Sequence, residues 1–136
     1  MIDFDRYFLK ECQIFLAHVD YDFLTLPTPG ENKLTVKDRV SAYNMDDDKV
    51  KIEVARSLDF GAGKLFSLTV VFGVMLTKNP FSKNEIDWTK VNIAEEFKNS
   101  RIPLLGNITS RISLLIAEIT SSFGQVPVVT PPQLIK

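Results

Sequence analysis

"RIPLLGNITSRISLLIAEITSSFGQVPVVTPPQ", residues 101–133, is the stretch on which the fold turns. It packs Leu, Ile and Val around Arg101, Arg111 and Glu118, then passes into a proline-rich extended run. A membrane span, a core helix and a surface meeting another chain would each explain so apolar a segment. The span fails. Arg111 and Glu118 would sit near the middle of a span from Ile102 to Phe123, each costing about 2.5–3.5 kcal/mol on insertion scales. Pro103 suits the first turn of a helix and Gly124 its C-terminal cap. Leu104, Ile108, Ile112, Leu115, Ile119 and Phe123 then form one apolar stripe, widened by Leu105 and Ile116, the expected core or subunit-interface face. Asn107, Arg111, Glu118 and Ser121 fall mostly on the other side. Leu114 lies off the stripe, which points to contact on more than one side.

Upstream the period changes from helical to two-fold. In residues 9–24, Phe15, Ala17, Val19, Tyr21 and Phe23 alternate as one face of a strand, and "TLPTPGEN" marks a loop. Leu34, Val36, Val40 and Ala42 alternate against Lys33, Lys37 and Arg39. Met45–Asp48 reads as a hairpin connection with a solvated Asp run. Val50, Ile52, Val54, Leu58 and Phe60 then alternate against Lys49, Lys51, Glu53, Ser57 and Asp59, and "GAGK" is another turn. The fourth strand carries Phe66, Leu68, Val70, Phe72, Val74 and Leu76 on one face. Its other face holds Leu65, Val71 and Met75, so it is either covered twice or offers apolar surface to a partner. Asn92 with Glu95 three residues on resembles a capping box, and Ile93 and Phe97 share a helical face. The order predicts an α+β domain: a four-stranded antiparallel sheet followed by a short helix and a long C-terminal helix.

Composition sets the class. A chain of 136 residues, 45% hydrophobic and 24% charged, predicts one globular domain over residues 1–136. A net charge of -1 with scattered Lys and Arg leaves no footprint for nucleic acid or anionic lipid. One cysteine, Cys12, excludes an intramolecular disulfide and a multi-cysteine zinc site. The first ten residues bring Asp3 and Asp5 before any apolar run, unlike a secretory signal, and a reducing cytoplasm is the expected compartment.

Signals for catalysis are weak. "DFGAGK" fails as a phosphate-binding loop because Leu58 and Leu65 occupy the positions that need Gly and Ser or Thr. Its "DFG" triplet lacks kinase surroundings. His18, Asp20 and Asp22 alternate on one face of the first strand and could hold a metal or do acid–base work. Neighbours on such a face stand about 7 Å apart, which suits a solvated polar face better. Cys12 has no thiol or His partner in sequence, and the Asn107–Thr109 sequon falls on the predicted helix. No catalytic residue, metal or cofactor is expected.

The C-terminal third resembles the protein-export chaperone SecB family. Pro103 opens a long helix, Arg111 follows, and "ISLLIAEITSSFG" leads to "VPVVTPP", with Phe123, Gln125 and the Pro131–Pro132 pair falling where that pattern places them. Upstream, "VKIEVARSLDFGAGKLFSLTVVFGVML" is similar to the family's strand, turn and glycine-containing strand, with Gly73 at the glycine. The resemblance implies a non-enzymatic holdase, assembled as a dimer of dimers, that takes unfolded polypeptides or preproteins in apolar grooves. Leu65, Val71, Met75 and Leu114 are then the expected client contacts. Two departures count against docking to the export ATPase: the chain ends four residues past Pro132, and its surface is nearly neutral where the classical one is acidic. Both fit a divergent SecB-like protein, such as a chaperone or adaptor dedicated to one antitoxin-type client.

Overall fold

The computed structural model describes residues 2–25, 34–60, 65–122 and 127–135. Most of the loop after the first strand, the GAGK turn, Phe123, the Gly124 cap and Gln125 lie outside the described residues. Four antiparallel strands, β1 (Gln13–Phe23), β2 (Leu34–Asn44), β3 (Lys49–Phe60) and β4 (Phe66–Thr77), form one sheet. The order is β1-β4-β3-β2, so β2, β3 and β4 make a meander while β1 joins the far side of β4. The short Met45–Asp48 connection closes because the Asp46 carboxylate accepts the amides of Asp48 and Lys49, both at 2.8 Å.

The helices lie on one side of the sheet: α1 (Phe4–Tyr7), α2 (Ile93–Lys98) and α3 (Pro103–Ser121), with single 3-10 turns at Lys83–Glu85 and Trp88–Lys90. The architecture is the expected α+β, with α1 added at its start. Asn92 caps α2 by accepting the Glu95 amide at 3.2 Å, and Pro103 occupies the first turn of α3. α3 lies against β3 and β4, and α2 against β2. Val54, Val70, Ile108, Ile112 and Ile116 are fully buried between the layers, each side chain contributing about 1.5–3 kcal/mol. Phe4, Phe8 and Phe97 close one end, with the Phe4 ring stacked on Phe8 and edge-on to Phe97.

Three features depart from simple periodicity. β1 carries a bulge between Leu16 and His18, opposite Phe72 and Val71. The extra residue breaks the face expected to hold Phe15, Ala17, Val19, Tyr21 and Phe23 together. Leu16, Val19, Tyr21 and Phe23 share the helix side with Phe72, Val70, Leu68 and Phe66, whereas Phe15 turns to the open side across from Gly73. α3 is also rotated relative to the stripe read from its spacing. Its buried side is Leu105, Ile108, Thr109, Ile112, Ile116 and Thr120, and Leu104, Leu115 and Ile119 are half-buried along one flank. Finally, Arg56 occupies a core position of β3 between Val54 and Leu58, with 0% exposure.

Candidate functional site

Arg56 is buried because every one of its donors is used. Its Nε and Nη2 reach the two carboxylate oxygens of Asp38, its register partner on β2, each at 2.8 Å. The remaining hydrogens go to the C-terminal segment: Nη1 donates to Thr130 Oγ1 and the Pro131 carbonyl, and Nη2 to the Gln133 carbonyl. Asp38 accepts the Ile135 amide at 2.8 Å as well. From the helix, Ser113 Oγ donates to the Thr130 carbonyl and Thr120 Oγ1 accepts the Val128 amide at 2.8 Å. Thr109 Oγ1 sits against the Pro132 carbonyl, its single proton shared with the Leu105 and Gly106 carbonyls. Residues 128–135 therefore run as a strap along the Thr109–Ser113–Thr120 flank of α3, on the β2 side of the helix.

The opposite flank of α3 carries Leu104, Leu115 and Ile119. By the strand order it looks toward β1. Helix-side residues of β1 past Ile14 stay open there: Leu16 is 50% exposed and Phe23 61%, with Val19 and Tyr21 also exposed. Strand order and exposure together set an apolar surface, the trough, between β1 and this flank of α3. At the end where both elements begin it deepens into a cavity of about 190 Å³ lined by Phe8, Cys12, Leu76, Ile102 and Leu104. The cavity lining is mostly apolar, with Asp5, Lys10 and Cys12 among it, so the trough is suited to apolar side chains.

The residues expected from sequence to contact a client are not brought together. Val71 and Met75 sit half-buried on the open face of β4, the side away from the described helices. Leu65 packs partly against the core, and its carbonyl accepts the amides of Leu24 and Thr25. Leu114, 62% exposed, points outward from α3. His18, Asp20 and Asp22 line the open side of β1 opposite Val71, Thr69 and Ser67. Among the described residues no three His, Cys, Asp or Glu side chains are grouped to hold an ion. Cys12 is exposed, and no described helix is long and apolar enough to cross a membrane. In the sequon, Asn107 accepts from Arg111 at 2.7 Å and Thr109 is buried. Sequence reasoning put Val19, Tyr21 and Phe23 on one face but missed Leu16, which the bulge at Ala17 brings to their side.

Neither a protein-family model nor a curated protein sequence matches the chain significantly. Among solved structures, the SecB-like chaperone Rv1957 of Mycobacterium tuberculosis, in complex with a ChAD peptide from the HigA1 antitoxin, superposes with a TM-score of 0.63. The match covers 88% of this chain and 89% of that one at 12% identity. The fold is SecB-like. A protein of unknown function from Streptococcus agalactiae also matches, at 15% identity over 89% of this chain and 97% of its own, but its TM-score of 0.39 carries no argument. In the SecB-like arrangement of this chain, the long helix covers β3 and β4 and leaves Leu16, Val19, Tyr21 and Phe23 of β1 exposed.

Proposed function

We propose that this protein is a non-enzymatic, SecB-like chaperone that holds unfolded polypeptide segments in the trough between β1 and α3. The observation that carries the reading is the bare apolar face of β1 (Leu16, Val19, Tyr21, Phe23) beside the half-buried Leu104–Leu115–Ile119 flank. A groove burying 600 Å² would gain roughly 15 kcal/mol gross at about 25 cal/mol per Å². Association entropy and the ordering of the client offset most of that, leaving the moderate affinity a holdase needs for release.

Leu65, Val71, Met75 and Leu114 belong to the proposal as secondary apolar contacts, Val71 and Met75 on a separate face. Homo-oligomer formation belongs to it too. Ile108 and Ile112 are consumed in the chain's own core and Leu104, Leu115 and Ile119 border the trough, which leaves the outer face of α3 at Leu114 for another subunit. The setting consistent with a single exposed thiol is the cytoplasm.

A second reading is a chaperone or adaptor with one dedicated client. It is favoured by the antitoxin peptide held by the M. tuberculosis protein of the same fold. Calorimetry with several unrelated polypeptides, each in a permanently unfolded and a native form, and with an antitoxin-type segment separates these ideas from each other. Binding several unrelated unfolded chains, and none in native form, is expected of the holdase. Binding a single antitoxin-type segment only would replace it by the dedicated chaperone, and binding neither would remove both.

A further inference from the structure

Four consecutive carbonyls of the strap, from Thr130 to Gln133, are each met by a side chain, and the donors alternate in origin. Those of Thr130 and Pro132 face Ser113 and Thr109 on α3, and those of Pro131 and Gln133 face Arg56 on β3. The ends are held by Thr120, which accepts the Val128 amide, and by Asp38, which accepts the Ile135 amide. Only some side chains of the strap contribute: Thr130 is buried with its Oγ1 accepting from Arg56, and Val128 and Leu134 pack partly on the core. Val129 is 80% exposed, and Pro131, Pro132 and Gln133 are exposed. The slot between β3 and α3 thus reads chiefly an extended backbone, with side-chain contacts at Val128, Thr130 and Leu134.

We propose that this slot is a peptide-binding site in its own right. Its resident ligand is the chain's own C-terminal strap, and another extended, proline-containing peptide can exchange with it. Part of the site is fixed from the sheet side. The Asp38 carboxylate holds the Nε and Nη2 edge of Arg56 and neutralises its charge, so the other guanidinium hydrogens stay aimed into the slot when the strap leaves. Two adjacent prolines suit such a ligand. They have no N–H to satisfy, and their fixed φ lowers the entropy cost of holding the segment extended. The slot lies on the flank of α3 opposite the trough, and the inference does not depend on the chaperone reading.

The test uses the full chain and a fluorescent synthetic peptide with the sequence of residues 127–135. In a strap-weakened variant, Thr130→Ala with Leu134→Asp, the peptide should bind at least tenfold tighter than to the unaltered protein, by anisotropy. Adding Ser113→Ala and Thr109→Val to the weakened variant should abolish that gain. A peptide with both prolines replaced by alanine should bind several-fold more weakly. Equal binding to the weakened and unaltered chains, binding that survives the two slot substitutions, equal affinity for the alanine peptide, or no binding at all overturns the assignment. If the weakened variant does not fold, hydrogen exchange on the unaltered protein decides. Excess peptide should speed exchange of the Val128 and Ile135 amides without affecting the middle of α3, and unchanged exchange overturns the proposal.

Discussion

Asp38 and Arg56 face each other across β2 and β3 as register partners, and both side chains enter the core with their charges joined at 2.8 Å. The pair is all but fully shielded from solvent, with side-chain exposures of 1% and 0%. Neither charge could stay there alone. Removing one member of such a pair leaves a desolvated ion and typically costs about 3–5 kcal/mol. Asp38→Ala and Arg56→Met should each destabilise the protein by about that amount in urea unfolding. The double variant should lose distinctly less than the sum, because no orphan charge remains. Strict additivity would show that the two residues do not act as a unit.

Gly73 accommodates the ring of Phe15. A Cβ at Gly73 would stand 2.6 Å from Phe15 Cζ, so any larger residue must displace the ring. Gly73→Val should destabilise by about 1–3 kcal/mol, the usual range for overpacking. In a Phe15→Ala background the same substitution should cost far less, as thermal unfolding of the four variants will show.

Phe23 and Leu16 are exposed in the trough, so charging them tests binding apart from folding. Phe23→Asp and Leu16→Asp should keep unfolding stability within about 0.5 kcal/mol, as exposed substitutions generally do. Each should weaken binding of an unfolded polypeptide at least tenfold by calorimetry. Unaltered affinity would move the binding surface elsewhere. Leu114→Asp separates assembly from binding: a smaller mass by sedimentation with unchanged affinity assigns the outer face of α3 to subunit contact.

The hairpin connection has its own pH signature. The amides of Asp48 and Lys49, in that order, hold the Asp46 carboxyl below the usual aspartate range. A carboxyl made more acidic by folding stabilises the fold above its unfolded pKa, and that contribution is lost as pH falls through the folded value. The Asp46 share is therefore complete at neutral pH and starts to decline only below about 3.9. Asp46 should titrate by NMR at lower pH than a free aspartate. Asp46→Asn should flatten the acid limb of stability against pH in that window.

Local chemistry determined much of this protein before any tertiary contact was known. Two-fold alternation in β3 and β4, the turn at Met45–Asp48, the Asn92 cap and Pro103 at the first turn of α3 all depend on near neighbours in the chain. A sequence window contains those neighbours, so the α+β layout and a long C-terminal helix were legible. What only the tertiary structure decided involves partners far apart in the chain. The bulge at Ala17 is set by pairing with β4, and it alone brings Leu16 to the side of Val19, Tyr21 and Phe23 and turns Phe15 to the other. The rotation of α3 follows from Thr109 and Thr120 finding hydrogen-bond partners in the strap and in the helix's own backbone, which lets polar residues take core positions that spacing would reserve for Leu104 and Leu115. Arg56 breaks the alternation of β3 for the same reason. Its burial depends on Asp38 and on carbonyls more than seventy residues away, and only the folded chain brings those acceptors to it.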